Sequence, residues 1–158
     1  MVFALALIDS NKVLAQNNPI YQLPDNQNTS RRTTGSTIVN YPEELLYELE
    51  PSIYVKNNAI IETVGASSPK VLKLKDVNSF NFLSTRNSLF RKVEMITINI
   101  SSPSDLSSSF NVDNIRGFGQ LKYIYIKSDF VITENQIRSF IQNADPEISI
   151  FYKIFKRS

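Results

Sequence analysis

The sequence predicts an α/β domain with a mostly parallel sheet of about four strands and connecting helices, in a repeat-like arc preceded by a short helix and a hairpin. The first observation behind this prediction is a recurring pattern of an apolar residue, any residue and a second apolar residue, which is typical of strands. The second is its spacing, because successive copies begin 24, 28 and 24 residues apart and a helix-like stretch fills each interval. The pattern occurs at 72–74, 96–98, 124–126 and 148–150.

Composition limits the chemistry that the chain can perform. Its 158 residues suit one domain, and its net charge of +2, from 17 basic and 15 acidic residues, is too balanced to indicate a nucleic-acid partner. It contains no cysteine and no histidine, which removes disulfides, most zinc sites and the usual general base. We therefore expect no catalytic residues, no metal site and no cofactor, and the composition favours a protein that is not an enzyme.

The N-terminus is typical of an export signal whose positively charged front is missing. Residues 2–8 form a short apolar core, and Val13 and Ala15 fit the small-residue rule for cleavage, which would leave Gln16 as the new N-terminus. We interpret 1–15 as a truncated signal peptide, and a strand or a frayed helix is the alternative. No other stretch approaches the length of a membrane span, so we predict a secreted or periplasmic location without a stable membrane span.

Residues 16–40 predict a flexible polar segment, because they are rich in Asn, Gln, Thr, Ser and Pro and show no sustained apolar period. The alternative is that 20–23 dock against the domain. The junction between Ala15 and Gln16, with its Asn-rich continuation, resembles exported proteins of the Bacteroidetes, which implies a bacterial origin. The folded α/β domain is expected at 41–158.

The domain is expected to begin with a short helix and a hairpin. Asn40 can cap a helix and Pro42 suits its first turn, so the helix is predicted at 42–50 and ends before Pro51. The β-prone runs 52–55 and 59–64 then flank Asn57 and Asn58, which tolerate the positive φ of a tight turn.

Four strands joined by helices are expected in the rest of the chain. Asp76 can cap the first connecting helix, the second is weak, and Thr133 with Gln136 forms the capping box of the third. Strands joined in this way run parallel with right-handed crossovers. The near-constant period favours a stacked arc with strands in sequence order over a doubly wound sheet. The predicted strands are 71–75, 93–100, 121–127 and 147–154.

Two of the repeat units resemble the core pattern of leucine-rich repeats. At the position where that family carries Asn, this chain has Ser101 and Asp129, and the flanking units fit less well. The resemblance covers about residues 69–154 and implies a curved, protein-binding surface without catalysis. The residues that carry it are Val93, Ile96 and Ile98 in one unit and Leu121, Ile124 and Ile126 in the next.

The candidate binding site is the outward face of the predicted sheet. Alternate strand positions point to opposite faces, so residues between the buried apolar positions lie outward. Aromatic side chains among lysines are favoured at binding surfaces because they bury much area at low entropic cost. The alternative is that the helix 42–50 and the hairpin cover this face and make the aromatics part of the core. The candidate residues are Lys73, Lys75, Thr97, Asn99, Tyr123, Tyr125, Lys127 and Phe151.

The other chemistry-bearing patterns are weaker. The serine-rich stretch 101–109 has no activating base and is typical of a loop and helix cap, and Glu44 with Glu48 is typical of a solvated helix face. The leading hypothesis is therefore a non-catalytic binding or interaction module whose partner is a protein or another macromolecule and not a nucleic acid. The alternatives are a small hydrolase or lyase using carboxylate, Tyr or Lys chemistry, and a structural component of an envelope assembly.

Overall fold

The computed structural model describes residues 17–25, 33–34, 37–47 and 50–155. The predicted signal peptide at 1–15 lies outside these residues. The strands and helices, in chain order, are β1 (Ile20–Gln22), β2 (Thr33–Thr34), β3 (Thr37–Ile38), α1 (Glu43–Tyr47), β4 (Ser52–Lys56), β5 (Ala59–Val64), β6 (Val71–Leu74), β7 (Met95–Ile100), β8 (Phe110–Asn111), β9 (Tyr123–Ser128), α2 (Glu134–Phe140), β10 (Ile141–Gln142) and β11 (Ser149–Ile154).

The fold is α/β, with a seven-stranded sheet in the order β1-β11-β9-β7-β6-β4-β5. Every neighbouring pair is parallel except β4 with β5, which form the predicted hairpin with positive φ at Asn57 and Asn58. The prediction of a mostly parallel sheet is confirmed, whereas the expectation of about four strands is too low. The hairpin strand β4 and the N-terminal strand β1 extend the same sheet at its two ends.

The register of the central strands places the apolar positions side by side. Leu72, Ile96 and Ile124 lie in one row across β6, β7 and β9. The next position in this row on β11 is Ile150, not Ile148, so the fourth copy of the pattern is shifted by two residues from its expected register. Because side chains alternate with a period of two, this shift keeps every residue on its predicted face but moves it along the strand.

The connections between the strands contain less α-helix than the sequence predicts. The intervals after β6 and β7 are built from short 3₁₀ helices at Val77–Ser84, Ser88–Phe90, Pro103–Ser107 and Val112–Asn114. These stretches are rich in Asn and Ser, whose side chains bond nearby backbone and compete with α-helix. Only the third interval forms an α-helix in the described residues, and there the capping box of Thr133 and Gln136 is present as predicted.

The main core lies between one face of the sheet and these connections. Its members include the inward strand residues and side chains such as Leu83, Phe90 and Phe140, which are at most 1% exposed. Phe90 stacks on Phe118 with ring centroids 4.7 Å apart. Burial on this scale supplies the main stabilisation of the fold. Because the connections occupy this face, the N-terminal part of the chain packs on the opposite, outward face of the sheet.

Strand β1 lies within 16–40, which the sequence predicts to be flexible. Ile20 pairs with Ile150, and buried Asn18 holds the start of the strand through its side-chain amide. Asn18 Nδ2 donates to the carbonyl oxygens of Asp145 at 2.6 Å and Ile148 at 2.9 Å. Residues 20–22 therefore pair with the domain, as in the alternative that 20–23 dock on it, and this part of 16–40 is not a free polar segment.

Candidate functional site

The half of the outward face that contains the strand starts is covered. Residues 39–47, including α1, lie over it, and the half-buried side chains of Leu45 and Leu46 pack against a buried cluster that includes Val71 and Met95. Helix α1 is shorter than the predicted 42–50, although 48–49 lie outside the described residues. Glu43 and Glu44 in its first turn remain exposed, so this segment presents leucines to the sheet and carboxylates to solvent.

Three of the predicted binding residues are therefore buried rather than exposed. Thr97 is 5% exposed, Tyr125 is 5% exposed and Phe151 is 1% exposed, while Tyr123 is half-buried. The expectation that these residues form part of an open face is wrong for Thr97, Tyr125 and Phe151, which are all buried. Tyr125 and Phe151 share a core cluster with Leu23 and Val39, against which the leucines of α1 pack. Of the two elements that the sequence analysis names as a possible cover for this face, the helix does cover it, whereas the hairpin strands belong to the sheet itself. The aromatics belong to a second, smaller core.

Phe151 is the centre of this second core. Its ring centroid lies 5.5 Å from that of Tyr21, 5.8 Å from that of Tyr41 and 6.0 Å from that of Tyr123. Burial raises the pKa of the Tyr125 hydroxyl, and charge interaction with Tyr47 raises it further. The Tyr125 phenol is therefore held neutral, which does not suit it to serve as a base.

The other half of the outward face, at the strand ends, is basic and is left uncovered by the described segment 39–47. The predicted residues Lys73, Lys75, Asn99 and Lys127 all lie here, half-buried or exposed. The structure adds three residues that the sequence reasoning missed. We call the whole set the lysine face, and it consists of Lys73, Lys75, Lys127 and Lys153 with Tyr54, Asn99 and Phe155.

The lysine face is ordered by contacts between ammonium groups and aromatic rings. Lys73 Nζ and Lys75 Nζ lie 4.8 Å and 5.0 Å from the centroid of the Tyr54 ring, and Lys73 Nζ donates to the Tyr54 hydroxyl at 3.0 Å. Lys127 Nζ and Lys153 Nζ lie 5.0 Å and 5.4 Å from the centroid of Phe155. Such cation–π contacts are favourable and reduce the freedom of the lysine side chains. Each of the two rings thus holds two ammonium groups.

The lysine face carries four positive charges, one on each of its lysines. Among the described residues, no carboxylate forms an ion pair with any of its four lysines. The ion pairs that do form lie elsewhere, such as Lys122 with Glu94 at 2.8 Å. Carboxylates are nevertheless near, because Glu62 lies opposite Tyr54 in the sheet and Asp129 follows β9.

At Lys127, burial and repulsion from the neighbouring lysines both disfavour the charged ammonium group. Partial burial lowers the pKa of its ammonium group, and the charges of Lys75 and Lys73 lower it further. Tyr54 and Asp129 act in the opposite direction and offset part of this shift. Holding several positive charges together on the lysine face therefore raises the free energy of the protein. A bound anion would lower this free energy by neutralising part of the charge.

The register explains why Lys153 was missed. The sequence pattern aligns Ile148 with Ile124, which would place Phe151 beside Lys127 and leave Lys153 beyond the row. In the structure Lys153 lies directly beside Lys127, and Phe151 lies beside Tyr125. Continuing the alternation from Phe151 to Lys153 is the signal that could have found it. Tyr54 was missed because its strand was assigned to a separate hairpin.

The remaining candidate sites give no chemistry of this kind. Residues Pro103–Ser107 form a capped 3₁₀ helix, in which Asp105 Oδ2 accepts from the backbone N–H of Ser101 at 2.7 Å, so the serine-rich stretch is a loop and cap. An open cleft beside α1 is lined by Glu43, Glu44 and Glu94, among others, but Glu94 is ion-paired and the other two are exposed. No group of three potential metal ligands occurs within the described residues.

Comparison with known proteins adds no family. No family model, no curated protein and no solved structure matches this chain. Across the part of the chain that the structure describes, no helix is both long and apolar enough to cross a membrane. The lysine face is therefore interpreted from its own geometry and charge.

Proposed function

We propose that this chain is a non-catalytic, secreted or periplasmic binding module that engages a macromolecular partner through the lysine face. The observation that carries the proposal is the group of four lysines, without carboxylate partners among the described residues, on the uncovered half of a sheet face. Unpaired, partly desolvated charges raise the free energy of the isolated protein, and a partner of opposite charge recovers it.

The shape of the lysine face favours a macromolecule over a small molecule. Four clefts in the described residues are lined by other residues than these four lysines. Small-molecule sites are concave and bury most of their ligand, whereas a flat sheet face suits a polymer or another protein. The same flatness supports binding over the hydrolase or lyase alternative, because catalysis needs a positioned and desolvated reacting group.

The distribution of apolar surface supports a binding module over a purely structural assembly component. The exposed large apolar side chains include Ile61 at 56% and Val131 at 72%, and they lie on different elements. Ile61 is the extra residue of a bulge where the pairing of β4 with β5 shifts register, and a bulge protects an edge strand from unwanted pairing. An assembly interface would require a contiguous apolar patch.

Two parts of the proposal, the cellular location and the repeat-like architecture, rest on the sequence. The truncated signal at 1–15 supports a secreted or periplasmic location, and mass spectrometry of the exported chain should find Gln16 at its N-terminus. An intact N-terminus on an exported chain would contradict this. The even spacing of the apolar pattern is the basis for the repeat-like arc and for the resemblance to leucine-rich repeats, and the strand order β6-β7-β9-β11 is compatible with the arc.

Charge reversal tests whether the lysine face is the binding surface. The double variant Lys127→Glu/Lys153→Glu removes two of its charges, and the control Arg91→Glu/Lys92→Glu makes the same change of net charge at exposed residues in a distant turn. We expect the first variant to elute from a heparin column at a markedly lower salt concentration than the control. Equal elution of the two variants would show that only net charge matters and would contradict the proposal.

A further inference from the structure

We propose that the partner bound by the lysine face is an acidic stretch of polypeptide, which lies across the strands and places its carboxylates on the lysines. This inference rests on the proposed function and names the chemistry of the partner. Four features of the lysine face carry it: its spacing, its occupied aromatic rings, its use of lysine without arginine, and its continuity with the surface that α1 already covers.

The lysine face forms a row across neighbouring strands. Asn99, Lys127 and Lys153 are direct neighbours in the register of β7, β9 and β11, and Lys75 follows Leu74, whose partner on β7 is Ile98. Adjacent strands are about 4.8 Å apart, so the row from β6 to β11 spans roughly 14 Å. Side chains on one side of an extended polypeptide recur every ~6.7 Å, so three alternate carboxylates cover the same length.

The aromatic rings of the face are already occupied by ammonium groups. Both Tyr54 and Phe155 hold two lysine ammonium groups at about 5 Å from the ring centroid. Stacking of a base would require the displacement of these lysines. Recognition here is therefore by charge, which does not need a planar ligand.

Among the described residues, the cations of the face are all lysines. Arginine, with its planar fork, is preferred where phosphate is recognised by two parallel hydrogen bonds, as in many nucleic-acid sites. Lysine is a compact point charge that suits a single carboxylate oxygen as well. Asn99, in the middle of the row, offers an amide that can bond a peptide backbone. Together these groups match a carboxylate-bearing polypeptide better than a phosphate backbone.

The chain itself shows that this sheet face accepts polypeptide. Segment 39–47 lies on the adjacent half, with Leu45 and Leu46 against the sheet and Glu43 and Glu44 in solvent. An acidic partner segment would continue the same covering layer over the uncovered half. Glu62, which lies on β5 opposite Tyr54, disfavours carboxylates beyond the β6 end of the row and so limits the bound segment on that side.

The test uses the full chain and a fluorescein-labelled oligoglutamate peptide, with an oligoglutamine peptide of equal length as the uncharged control. Anisotropy at an ionic strength of about 0.02 M should show binding of oligoglutamate, weakened at least ~10-fold by Lys127→Glu/Lys153→Glu and much less by Arg91→Glu/Lys92→Glu. Because charge reversal can disturb folding, Lys127→Gln/Lys153→Gln is measured as well and should weaken binding several-fold, with thermal melts to confirm folding.

Two further probes distinguish the failure of this inference from the failure of the proposed function. Single-stranded DNA of equal charge and vesicles with an anionic lipid fraction are measured with the same variants. If either binds as tightly as oligoglutamate and depends equally on Lys127 and Lys153, the binding surface stands and the polypeptide inference is overturned. If no probe depends on these lysines, both proposals fail.

Discussion

Replacement of Phe151 by alanine should strongly destabilise the fold, because this side chain fills the core beneath the N-terminal segment. It is 1% exposed and its ring lies within 6.0 Å of the rings of Tyr21, Tyr41 and Tyr123. On an open sheet face, as the sequence suggests, the same substitution would change the free energy of unfolding by no more than about 0.5 kcal/mol. The two descriptions of this face therefore differ in a measurable quantity.

The expected size of the effect follows from the burial and the ring contacts. Complete burial of a phenylalanine side chain contributes about 2–3 kcal/mol through transfer from water. The cost of about 3–5 kcal/mol that is typical of Phe→Ala in a protein core already includes this transfer, the lost ring contacts and the cavity left behind. We expect Phe151→Ala to lower the free energy of unfolding by about 3–5 kcal/mol, which is a large share of the ~5–15 kcal/mol typical of a domain.

Urea denaturation followed by circular dichroism measures this difference by linear extrapolation. The matched control is Phe155→Ala, since Phe155 directly follows the same strand on the uncovered half and is 37% exposed. The control should cost less than about 1 kcal/mol. If Phe151→Ala costs no more than Phe155→Ala, segment 39–47 does not cover the sheet and the description of the face is wrong.

Three further substitutions test other parts of the structure. Asn18→Ala removes two buried hydrogen bonds and should cost about 2 kcal/mol and expose the N-terminal strand to proteolysis, whereas Asn17→Ala, at an exposed position, should change neither. Thr133→Ala removes the cap of α2 and should cost about 1 kcal/mol in urea denaturation; an unchanged stability would contradict the cap. Lys127→Met should stabilise the protein at pH 7 by about 0.5–1 kcal/mol, since partial burial of the ammonium group and, to a smaller extent, repulsion from Lys75 and Lys73 disfavour the charged lysine. The pKa of Lys127 is lower in the folded state than its ordinary value of 10.5, so the charged lysine destabilises the fold at neutral pH and this effect is lost as the pH rises toward 10.5. Thermal melts should therefore show that the stability advantage of Lys127→Met shrinks with rising pH. An advantage that grows with pH would contradict the direction of the pKa shift.

The sequence predicted the parallel sheet and the order of its central strands because their signal is local and periodic. Leu72, Ile96 and Ile124 align as expected, and the hairpin at Asn57 follows from turn chemistry alone. Half of the candidate site was also predictable, because alternation within a strand is enough to place Lys73 and Lys127 outward.

The features that the sequence could not predict depend on contacts between residues that are far apart in the chain. Coverage of Phe151 depends on where residues 39–47 lie, and no periodicity in 16–40 indicates that Asn18 anchors a strand to β11. The two-residue shift at Ile150 has the same origin, since Ile148 is also buried and either alignment satisfies the apolar pattern. Lys153 joined the site only through this register, and Tyr54 only through the pairing of β4 with β6.

Amide-resolved NMR during titration with oligoglutamate tests the central claim most directly. If the lysine face binds an acidic polypeptide, the largest shift changes should fall on the C-terminal ends of β6, β7, β9 and β11 and on Tyr54, while α1 and the turn at Arg91 remain unchanged. Changes that spread evenly over basic residues, or that concentrate away from Lys127 and Lys153, would contradict the claim.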